Sequence, residues 1–204
     1  MRLIPVFLLS ATDPTHFPDD RRTGSAPEIA FLGRSNVGKS SLINALLGSQ
    51  QAKVSSTPGR TRAINFFALH EGIEQKHNVM PSLIFADLPG YGYAKLSKSI
   101  SAEWPKFIEP YLAERNQLVL CVCLVDSNIP PQESDTMLLR ALRQMQRPHL
   151  VVATKADRLS GNALAKSMAA LRLAHGEEQI LPVSSKSANG VKVLWAEILS
   201  VLPS

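Results

Sequence analysis

Apolar and polar positions along this chain alternate between two rhythms. Short, almost wholly apolar runs read as strands buried on both faces: "EIAFLG" (28–33), "AINFFALH" (63–70), "SLIFADLPG" (82–90), "LVLCVCLVD" (118–126), "HLVVATKAD" (149–157) and "QILPVSS" (179–185). Between them, apolar residues recur three or four apart and read as helices: "SLINALLG" (41–48) with a stop at Gly48, "AEWPKFIEPYLAER" (102–115), "ESDTMLLRALRQMQ" (133–146), "NALAKSMAALRLAH" (162–175) and "NGVKVLWAEILSVL" (189–202). Pro110 predicts a break in the second helix. The alternation predicts an α/β fold, a mostly parallel six-stranded sheet with helices on both faces. Only the polar "EGIEQKHNVMP" joins 63–70 to 82–90, so that pair reads as a hairpin and one strand as antiparallel.

The ends and the loops fill in this outline. "MRLIPVFLLSA" reads as an edge strand or anchoring arm, because Pro5 breaks its apolar stretch, only Arg2 precedes it, and no small-residue cleavage site follows. Residues 13–27, rich in Pro, Asp and Arg, read as a loop. The domain reading is therefore 1–27 as an N-terminal arm or edge segment and 28–204 as one domain, a size that buries a substantial core. No apolar run reaches the eighteen or so residues that cross a bilayer. A cytoplasmic, monomeric protein is expected. Cys121 and Cys123, one residue apart on a strand, point to one face and read as core thiols in a reducing compartment. The formal net charge of +5 permits a polyanionic partner without requiring one.

Two long polar segments break the alternation: "SQQAKVSSTPGRTR" (49–62) and "YGYAKLSKSIS" (91–101). Loops of that length in a compact domain usually carry function. The chemistry gathers beside them. Residues 33–40, Gly-Arg-Ser-Asn-Val-Gly-Lys-Ser, match G-x-x-x-x-G-K-[ST] between a strand and a helix. A phosphate chain must be approached by backbone N–H groups there, and side chains at the two glycine positions would obstruct it. The helix that follows turns its positive end toward the anion. Gly33, Arg34, Ser35, Asn36, Val37, Gly38, Lys39, Ser40 and the next residue, Ser41, form the candidate phosphate cradle. In it, Lys39 reaches the β- and γ-phosphates and Ser40 ligates Mg²⁺.

Three further motifs narrow the ligand. In "DLPG", Asp87 can hold Mg²⁺ through water, and the Gly90 N–H can contact a γ-phosphate whose loss would release the following loop. In "TKAD" (Thr154, Lys155, Asp157), a carboxylate can accept both N1–H and the 2-amino group of guanine, a donor pair that adenine lacks. The Lys155 stem can lie over the purine. In "SSK" (Ser184, Ser185, Lys186), the Ser185 N–H can donate to guanine O6, where adenine carries a donor. Together they point to GTP and GDP as ligands. Thr61 is the preferred threonine to complete the Mg²⁺ shell, with Thr57 the weaker candidate.

"GRSNVGKSSLIN", "STPGRT…INFF", "DLPGYGYAK", "TKAD" and "PVSS…G" together resemble the EngB family of bacterial GTPases, over nearly the whole chain from about Pro27. The resemblance implies a Ras-like P-loop GTPase fold and GTP and GDP binding with Mg²⁺. It also implies a role in maturing the large ribosomal subunit and a need in normal cell division and septation. Thr154 stands for the usual Asn of N-K-x-D, as in EngB-like sequences. Arg62 stands where a neutral polar residue is expected. Tyr91 follows Gly90 in place of the glutamine that orients water in Ras-like enzymes, which implies slow hydrolysis aided by a partner or a cation. In related GTPases an Asn at the place of Asn36 helps hold K⁺, so K⁺ is a further candidate cofactor and Lys39, Thr61 and Asn36 are the catalytic candidates.

The expected partner is a precursor of the large ribosomal subunit, through rRNA or ribosomal protein. Lys95 and Lys98 could grip RNA in one nucleotide state. Tyr91, Tyr93 and Trp104 could stack on bases or pack helix to sheet. Arg140, Arg143 and Arg147 could form an RNA-facing stripe or serve a helix C-terminus, the second reading being preferred. The alternative function is a nucleotide-dependent scaffold for division proteins with hydrolysis incidental.

Overall fold

The computed structural model of the chain describes residues 3–52, 63–72, 79–91 and 108–202. The strands are β1 (Leu3–Ala11), β2 (Glu28–Gly33), β3 (Ile64–Glu71), β4 (Leu83–Asp87), β5 (Leu118–Asp126), β6 (His149–Thr154) and β7 (Ile180–Pro182). The helices are α1 (Asp20–Thr23), α2 (Lys39–Leu47), the helical residues 108–114 (α3), α4 (Glu133–Gln144), α5 (Gly161–His175) and α6 (Val191–Ser200). All seven strands form one sheet in the order β1-β3-β4-β2-β5-β6-β7.

The six strands expected from apolar runs are there, and the N-terminal segment adds a seventh. β1 pairs antiparallel with β3 from Leu3↔Glu71 to Ala11↔Ile64, with a bulge between Phe7 and Leu9. Because β3 is antiparallel to β4 as well, it alone runs against the other six. The 63–70 and 82–90 hairpin is thus confirmed as the β3–β4 pair.

The apolar runs are continuous because both faces of the sheet are covered. Ala30 and Leu32 of β2 and Cys121 and Cys123 of β5 face α3, α4 and α5 through Tyr111, Leu139, Leu142 and Leu171. Ile29 and Phe31, with Leu120 and Val122, face α2 and α6 through Leu42, Ile43, Leu194 and Ile198. Both cysteines are buried and free, as read from their spacing, and burial pushes the Cys121 thiol up to about 12.

Two segments depart from expectation. Residues 13–27 are not all loop: Asp13 caps a 3₁₀ turn at Pro14–His16, and Asp19 caps α1, accepting from Arg22 N at 3.0 Å. The helical residues 108–114 run through Pro110 without a break, with Ile108, Tyr111 and Leu112 buried against the sheet. A buried acid anchors both. Glu28, fully buried, accepts from Tyr111 Oη at 2.8 Å and from Arg115 Nη2 at 2.5 Å, while Arg115 also donates to Pro18 O at 2.7 Å. A buried carboxylate is tolerated because it is paired and hydrogen-bonded on both oxygens.

Three strands stop earlier than their apolar runs, at Asp87, Thr154 and Pro182. Each stop lies at a carboxyl end of the sheet, where open α/β sheets place ligands. The residues cut from the strands form the loops of the site.

Candidate functional site

The cradle begins where β2 ends. A Cβ at Gly33 would lie 2.7 Å from Val37 Cγ1 and 3.1 Å from Leu124 Cβ, so no larger residue fits that turn. Gly38 has φ +102°, a conformation that L side chains rarely adopt, and α2 starts at the next residue. The α2 N-terminus has no side-chain cap. Among the described residues, the N–H groups of Gly38, Lys39, Ser40 and Ser41 meet no acceptor, while Leu42 N starts the helix by donating to Gly38 O at 2.9 Å. These free donors and the helix dipole suit an anion, so the segment passes the test of fitting a phosphate group.

Lys39 Nζ pairs directly with Asp87 Oδ1, and both side chains are nearly buried. Register explains the meeting, since β4 lies beside β2 with Phe31 opposite Asp87. The loop after β4 is then sewn to the cradle: Leu88 N donates to Phe31 O at 3.2 Å, and Ser35 N donates to Tyr91 O at 3.0 Å. A Cβ at Gly90 would meet Ser35 Oγ, N and Cα at 3.0–3.2 Å, so close approach requires this glycine. The Tyr91 ring packs against the α3–α5 side of the core, and its hydroxyl donates to Asp135 Oδ1 of α4 at 2.9 Å. Of the two readings for Tyr91, packing is the one found. Burial raises the Tyr91 hydroxyl well above its usual value and raises the Asp135 carboxyl to about 6.

The base-reading loops meet the cradle from the other side. Thr154 Oγ1 donates to Val37 O at 2.6 Å, and is also within 3.1 Å of Val125 O. Its hydroxyl thus braces the cradle. Lys155 adopts φ +59° and donates from Nζ to Asn36 O at 2.8 Å and to Asp126 Oδ2 at 2.5 Å. Asp157 is exposed, and its Oδ1 accepts from Ser184 Oγ at 2.6 Å, a bond that holds its carboxyl below the usual carboxylate range. Ser184, fully buried, also receives Ser187 N at 3.1 Å. A cavity of about 730 Å³ runs between Gly38 and Ser41 on one side and Lys155, Asp157, Ser185 and Lys186 on the other. A charged acceptor fixed at one end and free amides at the other match the two ends of a guanine nucleotide.

The family of 50S ribosome-binding GTPases matches residues 28–155. A probable GTP-binding protein EngB from Acidobacterium capsulatum is 64% identical over 97% of this chain and 90% of its own length. The EngB relative from Koribacter versatilis is 53% identical over 97% of this chain and 94% of its own. The chain belongs to the EngB family of GTP-binding proteins. Solved structures agree on the fold. A probable EngB crystal structure superposes with TM-score 0.67 at 24% identity, over 85% of this chain and 97% of the other. Era, in complex with MgGDPNP and a 16S rRNA segment, gives TM-score 0.68 at 23% identity over 88% of this chain and 57% of its own.

As an EngB protein, the chain has a site only partly legible beforehand. Asn36, at φ +65°, is exposed, and its side chain bonds to no described residue. Asp126, Ser127 and Asn128 were missed. Asp126 holds Lys155, Ser127 Oγ donates to Thr154 O at 2.8 Å, and Asn128 Nδ2 donates to Lys155 O at 3.1 Å. The signal was an Asp closing a core strand, the same signal that drew attention to Asp87. Thr57, Thr61, Arg62, Tyr93, Lys95, Lys98 and Trp104 lie outside the described residues.

The three arginines divide. Arg143 donates to His175 O and Glu177 Oε1, both at 2.5 Å, and Arg147, beyond the end of α4, donates from Nε to Leu112 O. Only Arg140 faces solvent without such a bond among the described residues, so no continuous cationic stripe forms. Among the described residues there is no cluster of three metal-binding His, Cys, Asp or Glu, and no helix long and apolar enough to cross a membrane. A Mg²⁺ bound by hydroxyls, one carboxylate and phosphate oxygens needs no such cluster.

Proposed function

We propose that this EngB protein binds GTP and GDP with Mg²⁺, hydrolyses GTP slowly, and acts in the cytoplasm as a switch in large ribosomal subunit assembly on which normal cell division depends. Residues 28–204 act as one GTPase domain, with 1–27 as its edge segment, and the working form is a monomer. The observation that carries the reading is the Asp157 carboxylate, held by Ser184, lining the same cavity as the uncapped start of α2 at Gly38 and Ser41.

Each residue then has a task. Asp157 accepts from the two guanine donors, Lys155 lies over the ring, and the Ser185 N–H faces O6. The amides from Gly33 to Ser41 hold the phosphates, and Lys39 leaves Asp87 for the β- and γ-oxygens. Ser40, Thr61 and Asp87 would hold Mg²⁺, which would supply charge neutralisation at the leaving phosphate. The hydroxyl of Tyr91 is engaged by Asp135, so the residue after Gly90 is not free to orient an attacking water, which supports slow turnover. The exposed Asn36 stands free at the loop tip, which supports a K⁺-assisted rate.

The test is co-sedimentation with large-subunit precursors. The protein loaded with a non-hydrolysable GTP analogue should pellet with the particles, and the GDP form should stay in solution. Equal pelleting of both forms would remove the switch. Equal hydrolysis in K⁺ and Na⁺, with particles present and absent, would remove the cation.

A further inference from the structure

Asn44 lies on the second turn of α2 and is the polar residue of that helix that the phosphate cradle does not explain. Its place on the inward face of the helix, between Ile43 and Leu46, is one normally filled by an apolar side chain. Its residue is 7% exposed. Burial of an amide is costly unless both ends are bonded, and here both are. Nδ2 donates to Ala52 O at 2.8 Å, and Oδ1 accepts from Ala52 N at 2.7 Å. The side chain therefore pairs with one residue's backbone as a neighbouring strand would.

The main chain of Asn44 does the rest. Its carbonyl accepts the N–H of Gly48, which caps α2 at φ +62°, and the N–H of Ser49 at 3.3 Å. One residue thus fixes both the turn that leaves the helix and the backbone at Ala52, eight residues on. The fixed stretch is a wall of the nucleotide cavity: Asn44, Ala45, Gly48, Ser49 and Gln50 line it opposite Lys155 and Asp157.

We infer that Asn44 is a positioning residue that presets this wall and thereby sets how long the nucleotide stays. The inference rests on the cavity being the GTP and GDP site. The Asn44 side chain is spent on Ala52 and takes no part in the contacts assigned to the base, so its loss opens the wall without changing which base is preferred. Both triphosphate and diphosphate should leave faster by a similar factor, because the wall faces the end of the cavity that reads the base.

The experiment measures dissociation of fluorescently labelled GDP and of a labelled non-hydrolysable GTP analogue by stopped flow. The proteins are the full chain, Asn44→Ala, Ala52→Pro and the double variant. Ala52→Pro removes the N–H that Asn44 receives and leaves α2 untouched, so it remains informative if Asn44→Ala fails to fold. Asn44→Ala loses both buried bonds and should release nucleotide about tenfold faster, whereas Ala52→Pro keeps its carbonyl, loses one bond and should release it about threefold faster. The double variant should release no faster than Asn44→Ala alone, because the bond that Ala52→Pro breaks is already lost there. The preference for guanine over adenine nucleotides should be unchanged. Variants that melt at lower temperature yet release nucleotide at the parent rate would show a merely structural asparagine and overturn the inference, as would additive effects in the double variant. A parent protein that holds no GDP would instead overturn the reading of the cavity itself.

Discussion

The two ends of the cavity are built differently. At the base end several polar groups are already held: Lys155 by Asp126 and Asn36 O, Asp157 by Ser184, and the Thr154 carbonyl by Ser127. At the phosphate end the charged groups hold each other, Lys39 on Asp87, and the first amides of α2 meet no acceptor among the described residues. The base end is arranged before any ligand arrives, and recognition there costs little reordering. The phosphate end must exchange one ion pair for contacts with the ligand. On the proposed reading the labour is divided: a braced template would read the base, and a pair that can part would sense the phosphates.

The largest effect expected is at the template. Asp157→Asn replaces an acceptor of two hydrogens with a group that donates one of its own, so GDP affinity should fall about a thousandfold. Xanthine carries a carbonyl where guanine has its amine, so xanthosine diphosphate should gain affinity. Calorimetry with both nucleotides checks this, and an unchanged preference for GDP would end the distinction between the two ends. Next comes Lys39→Ala, which leaves Asp87 buried without its cation. Without nucleotide, unfolding in urea should show a loss of about 3 kcal/mol. A variant as stable as the parent would mean that the pair does not persist in solution.

A smaller effect tests the seam between the phosphate end and α4. The Asp135 carboxyl sits at about 6 in the fold against an ordinary 3.8, raised by burial. A raised acid favours the folded state most when protonated. Its contribution is full below about pH 3.8 and is lost as the pH rises through about 6. Asp135→Asn keeps an acceptor for the Tyr91 hydroxyl and carries no charge. Its stability relative to the parent should therefore rise by about 2 kcal/mol between pH 4 and pH 7.5. Chemical denaturation at the two pH values checks it, and a pH-independent difference would show a carboxylate at ease with its charge. The smallest effect is Ser184→Ala, which leaves Asp157 in place but unbraced. GDP affinity should fall about fivefold, near 1 kcal/mol. No change would mean that the template needs no prior ordering.

Motif residues were legible wherever the chemistry is local. Gly33, Gly38, Lys39 and Ser40 follow one another on the chain, and a strand before and a helix after are enough to place them. Asp87, Asp157 and Ser184 could be assigned to strand ends because each closes an apolar run. Their neighbours could not. Nothing in "LVDSN" says that Asp126 will meet a lysine 29 residues on, nor does "SLINAL" show that Asn44 will grip the backbone at Ala52. Pro110 lies within the helical residues 108–114, where the burial of Ile108, Tyr111 and Leu112 offsets a proline's local cost, while 102–107 of the helix read over 102–115 lie outside the described residues. The three arginines misled as a possible stripe because helix spacing shows which residues share a face, but not which carbonyls lie beneath it.

Residue order alone therefore determined the alternation of strands and helices, the phosphate turn, the two base-reading loops and the family, since each depends on contacts within a few positions or on spacing along one element. The tertiary structure decided the rest: that β1 extends the sheet as its seventh strand, that the Thr154 and Ser184 hydroxyls brace Val37 and Asp157, and that Tyr91 is tied to α4. These are pairings between groups far apart in the chain. Register between strands helps to set them, and register is specified by burial of the sheet's faces rather than by any one strand's own sequence.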